Sequence, residues 1–188
     1  TRYEKPKLKI MGMETQRSST PTSVKVFLKE AIRRILQEGE LSLHEHYKKF
    51  EEEYKELDYR EIAGVSSANN ISKYRDGAGY PIKGTPNHIK GVLFFNRFTA
   101  GIDGVTPIME GEKVMVLPLR DKNPWQADCI AWQSGNKLPS EIESDILAWV
   151  DYPGMFEKHV ISPLTNITEV CKIDYEKRAS LNDLFGDW

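Results

Sequence analysis

Apolar residues in the first third of the chain recur at helical spacing. Val24, Phe27, Leu28, Ala31, Ile32, Ile35 and Leu36 fall on one stripe, three and four residues apart, which predicts an amphipathic helix. Thr20 is placed to cap its free N–H groups, and Pro21 suits the first helical position. Gly39 ends the helix as a left-handed C-terminal residue would. Leu43, Tyr47, Phe50, Tyr54 and Leu57 then repeat at four, three, four and three, an apolar seam predicting a second helix. Ser42 and Glu45 fit a capping box at its start. The short connection at Gly39 makes the two helices antiparallel neighbours, and Glu51–Glu53 form the wet face of the second.

The texture changes near residue 64. Gly77, Gly79, Pro81, Gly84 and Pro86 mark a long irregular loop. Gly91–Phe98, Lys113–Leu119 and Asp128–Trp132 read as strands, separated by turns at Gly101–Gly104 and Glu110-Gly111. Ser140 and Glu143 make a second capping box ahead of Ile142, Ile146, Leu147 and Val150. A last helix is expected from Met155 to Cys171, bent or interrupted at Pro163. Residues 1–19 and the tail Arg178–Trp188 read as extended or unpacked. The order predicts an α+β fold: antiparallel helices, then a small antiparallel sheet, then further helices.

The 188 residues suffice for one sizeable domain or two small ones, and four Trp, eight Tyr and seven Phe can support a core. No apolar run reaches bilayer-crossing length and no signal-peptide pattern opens the chain, so the expectation is a soluble intracellular protein. Cys129 and Cys171 lie far apart without metal-ligand spacing, and read as two buried thiols. The net charge of −2 is unevenly spread. Residues 1–36 carry nine Lys/Arg against three Glu, and residues 73–97 carry five against one Asp; the rest of the chain is acidic. Two basic stretches either build one positive face for a polyanion or merely solvate helix surfaces.

No catalytic constellation is present. His44-Glu45-His46 lacks the spacing that sets two His on one helix face for zinc, and His88 and His159 are isolated. No Asp-x-Asp pair offers a seat for two divalent metals. The pattern is that of a binder. Three segments carry it. Arg17, Ser18, Ser19 and Thr20 crowd donors beside a helix N-terminus, a phosphate site; the competing reading is a plain cap at Thr20 with Arg17 in solvent. Next come His88, Lys90 and Gly91, with Asn96 and Arg97 further along the expected strand. The cations supply phosphate donors and Gly91 permits close backbone approach; the competing reading is an edge strand protected by Lys. Last, Leu181, Leu184 and Phe185 present apolar side chains on one helical turn at the end of the sequence, suited to a groove on a partner; the competing reading is a tail folded back on its own domain.

Several of these runs resemble DNA polymerases of T-even-type bacteriophages, members of family B. Lys9–Pro21 (KIMGMETQRSSTP) is similar to their palm-to-thumb junction. Ile32–Glu40, Ser66–Tyr74 (SSANNISKY), His88–Gly91, Lys113–Arg120 (KVMVLPLR), Cys129–Trp132 and Asp174–Leu181 follow in the same order. The resemblance implies that 1–14 end the palm, 15–175 form the thumb, and 176–188 are a tail that binds the phage sliding clamp. Arg17, Ser18, Ser19, His88, Lys90, Gly91, Asn96, Arg97, Arg120 and Lys122 would then meet primer–template duplex DNA, and Leu181, Leu184, Phe185 and Trp188 the clamp. The family's catalytic aspartates are absent from these residues. No cofactor is expected in this chain, Mg²⁺ belonging to the palm of a missing or partner part. That N-terminal part would bring exonuclease, palm and fingers, making the chain a fragment or half of a split polymerase, inactive alone, in the cytoplasm of the infected host. A clamp-binding protein with no role in DNA synthesis remains the alternative.

Overall fold

The computed structural model describes Arg17 and residues 19–176. These residues form two compact units. One holds Arg17, Thr22–Leu57 and the described chain from Phe156 onward; the other holds residues 19–21 and Asp58–Met155.

The first unit is helical. α1 (Thr22–Gln37) buries Val24, Phe27, Leu28, Ala31 and Ile32 of the predicted stripe, whereas its last two members differ: Ile35 is half-buried and Leu36 is exposed. Its C-terminus turns at Gly39, whose φ of 87° is left-handed and whose N–H donates to the Arg34 carbonyl. α2 (Glu40–Tyr54) follows at once and buries Leu43, Tyr47, Phe50 and Tyr54. Glycine turns the chain so tightly that α2 starts ahead of Ser42. The expected capping box does not form there; the Ser42 hydroxyl donates to Glu38 and accepts from Arg34. Phe27 stacks on Phe50 (ring centroids 4.3 Å apart) and on His46 (4.8 Å). Of the N-terminal basic block, Arg33 and Arg34 are spent on Glu30 and Glu38.

Helical backbone also runs from Tyr152 to Cys171. α6 (Tyr152–Phe156) passes into a π-helical turn, Glu157–Ile161, and then into α7 (Ser162–Cys171). The interruption expected at Pro163 is this wider turn. A proline lacks an N–H and crowds the carbonyl four residues back, and a π turn relieves both. Beyond α7, Tyr175 is buried: its carbonyl accepts from His44 Nδ1 (2.8 Å), its hydroxyl bonds Thr165 (3.1 Å), and its ring meets Tyr47 edge-on.

The second unit holds the sheet. α3 (Tyr59–Ile62) is capped by Asp58, whose carboxylate accepts from the Arg60 N–H. β1 (Gly64–Ser67), β2 (Lys113–Pro118) and β3 (Cys129–Gln133) pair antiparallel in the order β1-β2-β3, with Val65 opposite Met115 and Met115 opposite Trp132. β2 and β3 match their predicted positions. The third predicted strand, Gly91–Phe98, is instead the larger part of helix α4 (Asn87–Phe98). Ile89 and Gly91–Phe95 are all buried, so neither a period of two nor one of 3.6 shows in the sequence, and short apolar runs are ambiguous for that reason. The strand that completes the sheet is β1, whose half-buried Gly-Val-Ser-Ser carries little hydrophobic signal. α5 (Ser140–Leu147) begins one residue earlier than a Ser140 cap requires, with Pro139 at the N-cap, so the second capping box is also absent.

α4 lies directly on β3. A Cβ on Gly91 would stand 3.0 Å from the Ala131 nitrogen and the Ile130 carbonyl carbon. The residue read as a place for ligand approach is therefore where helix meets sheet.

Candidate nucleic-acid interface

The first turn of α4, residues 65–74 and the start of β2 enclose a cleft of about 440 Å³. It is lined by Ser19 and His88 from the predicted set. Ser66, Ser67, Asn69, Asn70, Tyr74 and Lys113 line it too, and sequence reasoning did not assign them. No carboxylate is among the lining residues. Backbone packing brings distant segments together here. A Cβ on Gly64 would lie 2.9 Å from the Ser19 carbonyl oxygen, so glycine lets residue 19 approach β1. Glu110, from the turn before β2, accepts from the N–H groups of Asn70 and Ile71. The Ala68 N–H donates to the Glu112 carbonyl (2.8 Å), tying the same loop down.

Those bonds consume the loop's N–H groups, so recognition falls to side chains. Lys113 Nζ donates to Ser67 Oγ (2.7 Å). An ammonium keeps two further protons after that bond, and the hydroxyl keeps its own. Lys73 sits above the Tyr74 ring, 5.4 Å from its centroid. α4 has Pro86 at its N-cap and no side-chain cap; the Ile89 N–H donates to the Pro86 carbonyl (3.0 Å), and the positive end of the helix dipole lies beside Asn87 and His88. Burial pushes the His88 imidazole below its ordinary 6.5, so it is a neutral hydrogen-bonding group at pH 7. The cleft thus combines hydroxyl, amide, imidazole and ammonium donors, which suits phosphate and sugar oxygens.

The remaining predicted residues do not converge on this cleft. Lys90 and Arg97 line a second one, of about 570 Å³, together with Tyr80, Lys83, Phe94, Trp125 and Asp128. Lys90 pairs with Asp128 (2.5 Å). Arg97 lies over the Tyr80 ring, 4.1 Å from its centroid, and donates to the Gly79 carbonyl (2.8 Å). Asn96 serves the fold, because its amide donates to and accepts from the Ile108 backbone (3.0 and 2.7 Å). Gly91 is buried against β3 and offers no surface to a ligand. Arg120 packs over Trp149 and donates to the Ala148 carbonyl. Lys122 is exposed on a left-handed turn. Arg17 is exposed and belongs to the helical unit. Ser18 and the tail residues Leu181, Leu184, Phe185 and Trp188 lie outside the described residues.

The signal that could have revealed the missed residues is the run Ser66-Ser67-Ala68-Asn69-Asn70. It is dense in neutral donors and stands immediately before the second basic stretch.

Among the described residues, no group of three or more His, Cys, Asp or Glu is gathered to hold a metal ion. No helix among these residues is long and apolar enough to cross a membrane.

No family model matches the chain. It is similar to the DNA-directed DNA polymerase of Enterobacteria phage T4, 55% identical over 185 residues. It is also similar to the DNA-directed DNA polymerase of Escherichia phage RB69, 54% identical over 185 residues. Each match covers 98% of this chain and 20% of the relative, so the chain spans about a fifth of the length of the curated relatives it matches. With this identity over nearly every residue, the chain is homologous to a segment of the phage DNA-directed DNA polymerases.

Proposed function

We propose that this chain is the thumb of a phage DNA-directed DNA polymerase, of family B. It grips primer–template duplex irrespective of sequence, and nucleotidyl transfer with Mg²⁺ takes place in the palm of an N-terminal part that also carries exonuclease and fingers. The carrying observation is the cleft of Ser19, Ser66, Ser67, Asn69, Asn70, His88 and Lys113, with donors throughout and no carboxylate. Such a surface positions a backbone without reading bases, which is what a moving polymerase requires. Arg17 and Lys122, both exposed, add phosphate contacts. The tail anchors Leu181, Leu184, Phe185 and Trp188 enter a groove on the sliding clamp, tethering the enzyme in the host cytoplasm.

Lys113→Ala is the test. It lowers affinity equally for duplexes of unrelated sequence and reduces the slope of log affinity against log salt by about 0.9, the loss of one phosphate contact. An unchanged slope rejects the assignment. Leu184→Ala with Phe185→Ala abolishes clamp capture and leaves duplex affinity intact. Clamp capture by a chain without duplex affinity would favour an interaction protein that has left DNA synthesis.

A further inference from the structure

The second cleft is built for a different ligand. Tyr80 is 55% exposed even with Arg97 lying over its ring. The Arg97 bond to the Gly79 carbonyl holds that arrangement in place. Trp125 lines the same recess and packs against Phe94 and Phe98, at centroid distances of 5.9 and 5.2 Å. Three cations, Lys83, Lys90 and Arg97, face the recess against the single carboxylate of Asp128, which Lys90 already engages. Flat aromatic faces inside a positively charged recess match an unpaired base with its phosphate. Duplex DNA cannot use them, because its bases are stacked on one another.

We propose that this cleft binds single-stranded DNA, with one base stacked on Tyr80 and the adjoining phosphates on Lys83 and Lys90. Arg97 acts as the positioning residue that presents the Tyr80 ring. Lys90, grouped by sequence with the duplex contacts, serves the single strand instead. The proposal stands apart from the duplex reading, since each cleft is probed by its own ligand.

The experiment measures fluorescence anisotropy of labelled (dT)8 and of a labelled duplex with the full chain and four variants. Tyr80→Ala and Lys83→Ala each lower (dT)8 affinity, the former by about tenfold, and leave duplex affinity unchanged. Tyr80→Phe retains (dT)8 binding because it keeps the ring. Lys113→Ala weakens only the duplex. Tyr80 is an exposed loop residue, so its replacement does not threaten the fold. Unchanged (dT)8 binding in Tyr80→Ala overturns the proposal, as does loss of (dT)8 binding in Lys113→Ala alone. Displacement of (dT)8 by dTMP at equal nucleotide concentration would instead show a mononucleotide pocket and would also overturn it.

Discussion

His88 and Lys90 stand two residues apart on α4 and open into different clefts. Each residue advances an α-helix by about 100°, so the second side chain is turned roughly 200° from the first. In an extended segment the same two side chains would share a face. The helix therefore divides what the sequence groups. His88→Ala is expected to weaken duplex binding and spare (dT)8; Lys90→Ala is expected to do the reverse. Equal effects of both variants on both ligands would mean that the clefts act as one.

The neutral state of His88 gives duplex binding a pH dependence. Burial lowers its pKa, so protonation begins only below its ordinary 6.5. Its cleft is shared with Lys113 and Tyr74 and has no carboxylate to absorb the new charge. A bound phosphate favours the protonated ring, so duplex affinity should rise as pH falls below 6.5. The His88→Ala variant should show no such rise in an anisotropy titration from pH 7.5 to 5.

Gly91→Ala sets two effects against each other. Alanine improves intrinsic helix propensity by about 1 kcal/mol. The added methyl meets the β3 backbone at 3.0 Å, and overpacking of that kind costs about 1–3 kcal/mol. β3 is held by its ladder to β2 and cannot retreat freely. The expected result is a net loss of up to about 2 kcal/mol, read as a lower urea midpoint. A higher midpoint would show that α4 lifts off the sheet without cost.

The two thiols differ, which corrects their reading as a buried pair: Cys129 is buried and Cys171 is exposed. The Cys129 thiol donates to the Asn87 carbonyl (2.9 Å), and burial pushes its pKa up to about 12. The thiolate is the reactive form. In native protein at pH 8, a thiol reagent should modify Cys171 promptly and Cys129 only after denaturation. Cys171→Ser should remove the prompt phase. Two equally fast thiols would contradict the packing of α4 against β3.

Acid stability should report on Glu30. Its carboxylate bonds Arg33 and Arg34, and the Arg33 hydrogen bond is the largest cause holding its pKa at about 2, below the ordinary 4.5. A carboxyl group with a lowered folded pKa stabilises fully above its unfolded value and loses that contribution as pH falls toward the folded one. Denaturation midpoints should therefore drop between pH 4.5 and about 2, less steeply in Glu30→Gln. The pair is part-exposed, so the difference is modest and shrinks in high salt.

What the sequence settled is what depends on near neighbours. The Val24–Ile32 stripe, the Leu43–Tyr54 seam, the turn at Gly39, the break at Pro163 and the strands at Lys113 and Cys129 all follow from spacing within a few residues. What only the tertiary structure decided involves burial or long-range approach. α4 was legible as a strand because its middle is buried on every side, which erases the period. β1 became a strand through its pairing with β2, not through its own half-buried residues. The first cleft joins residues 19, 66–70, 88 and 113, separated by tens of positions. Their meeting rests on two close backbone approaches, Gly64 to Ser19 and Gly91 to β3, which a sequence records only as glycines.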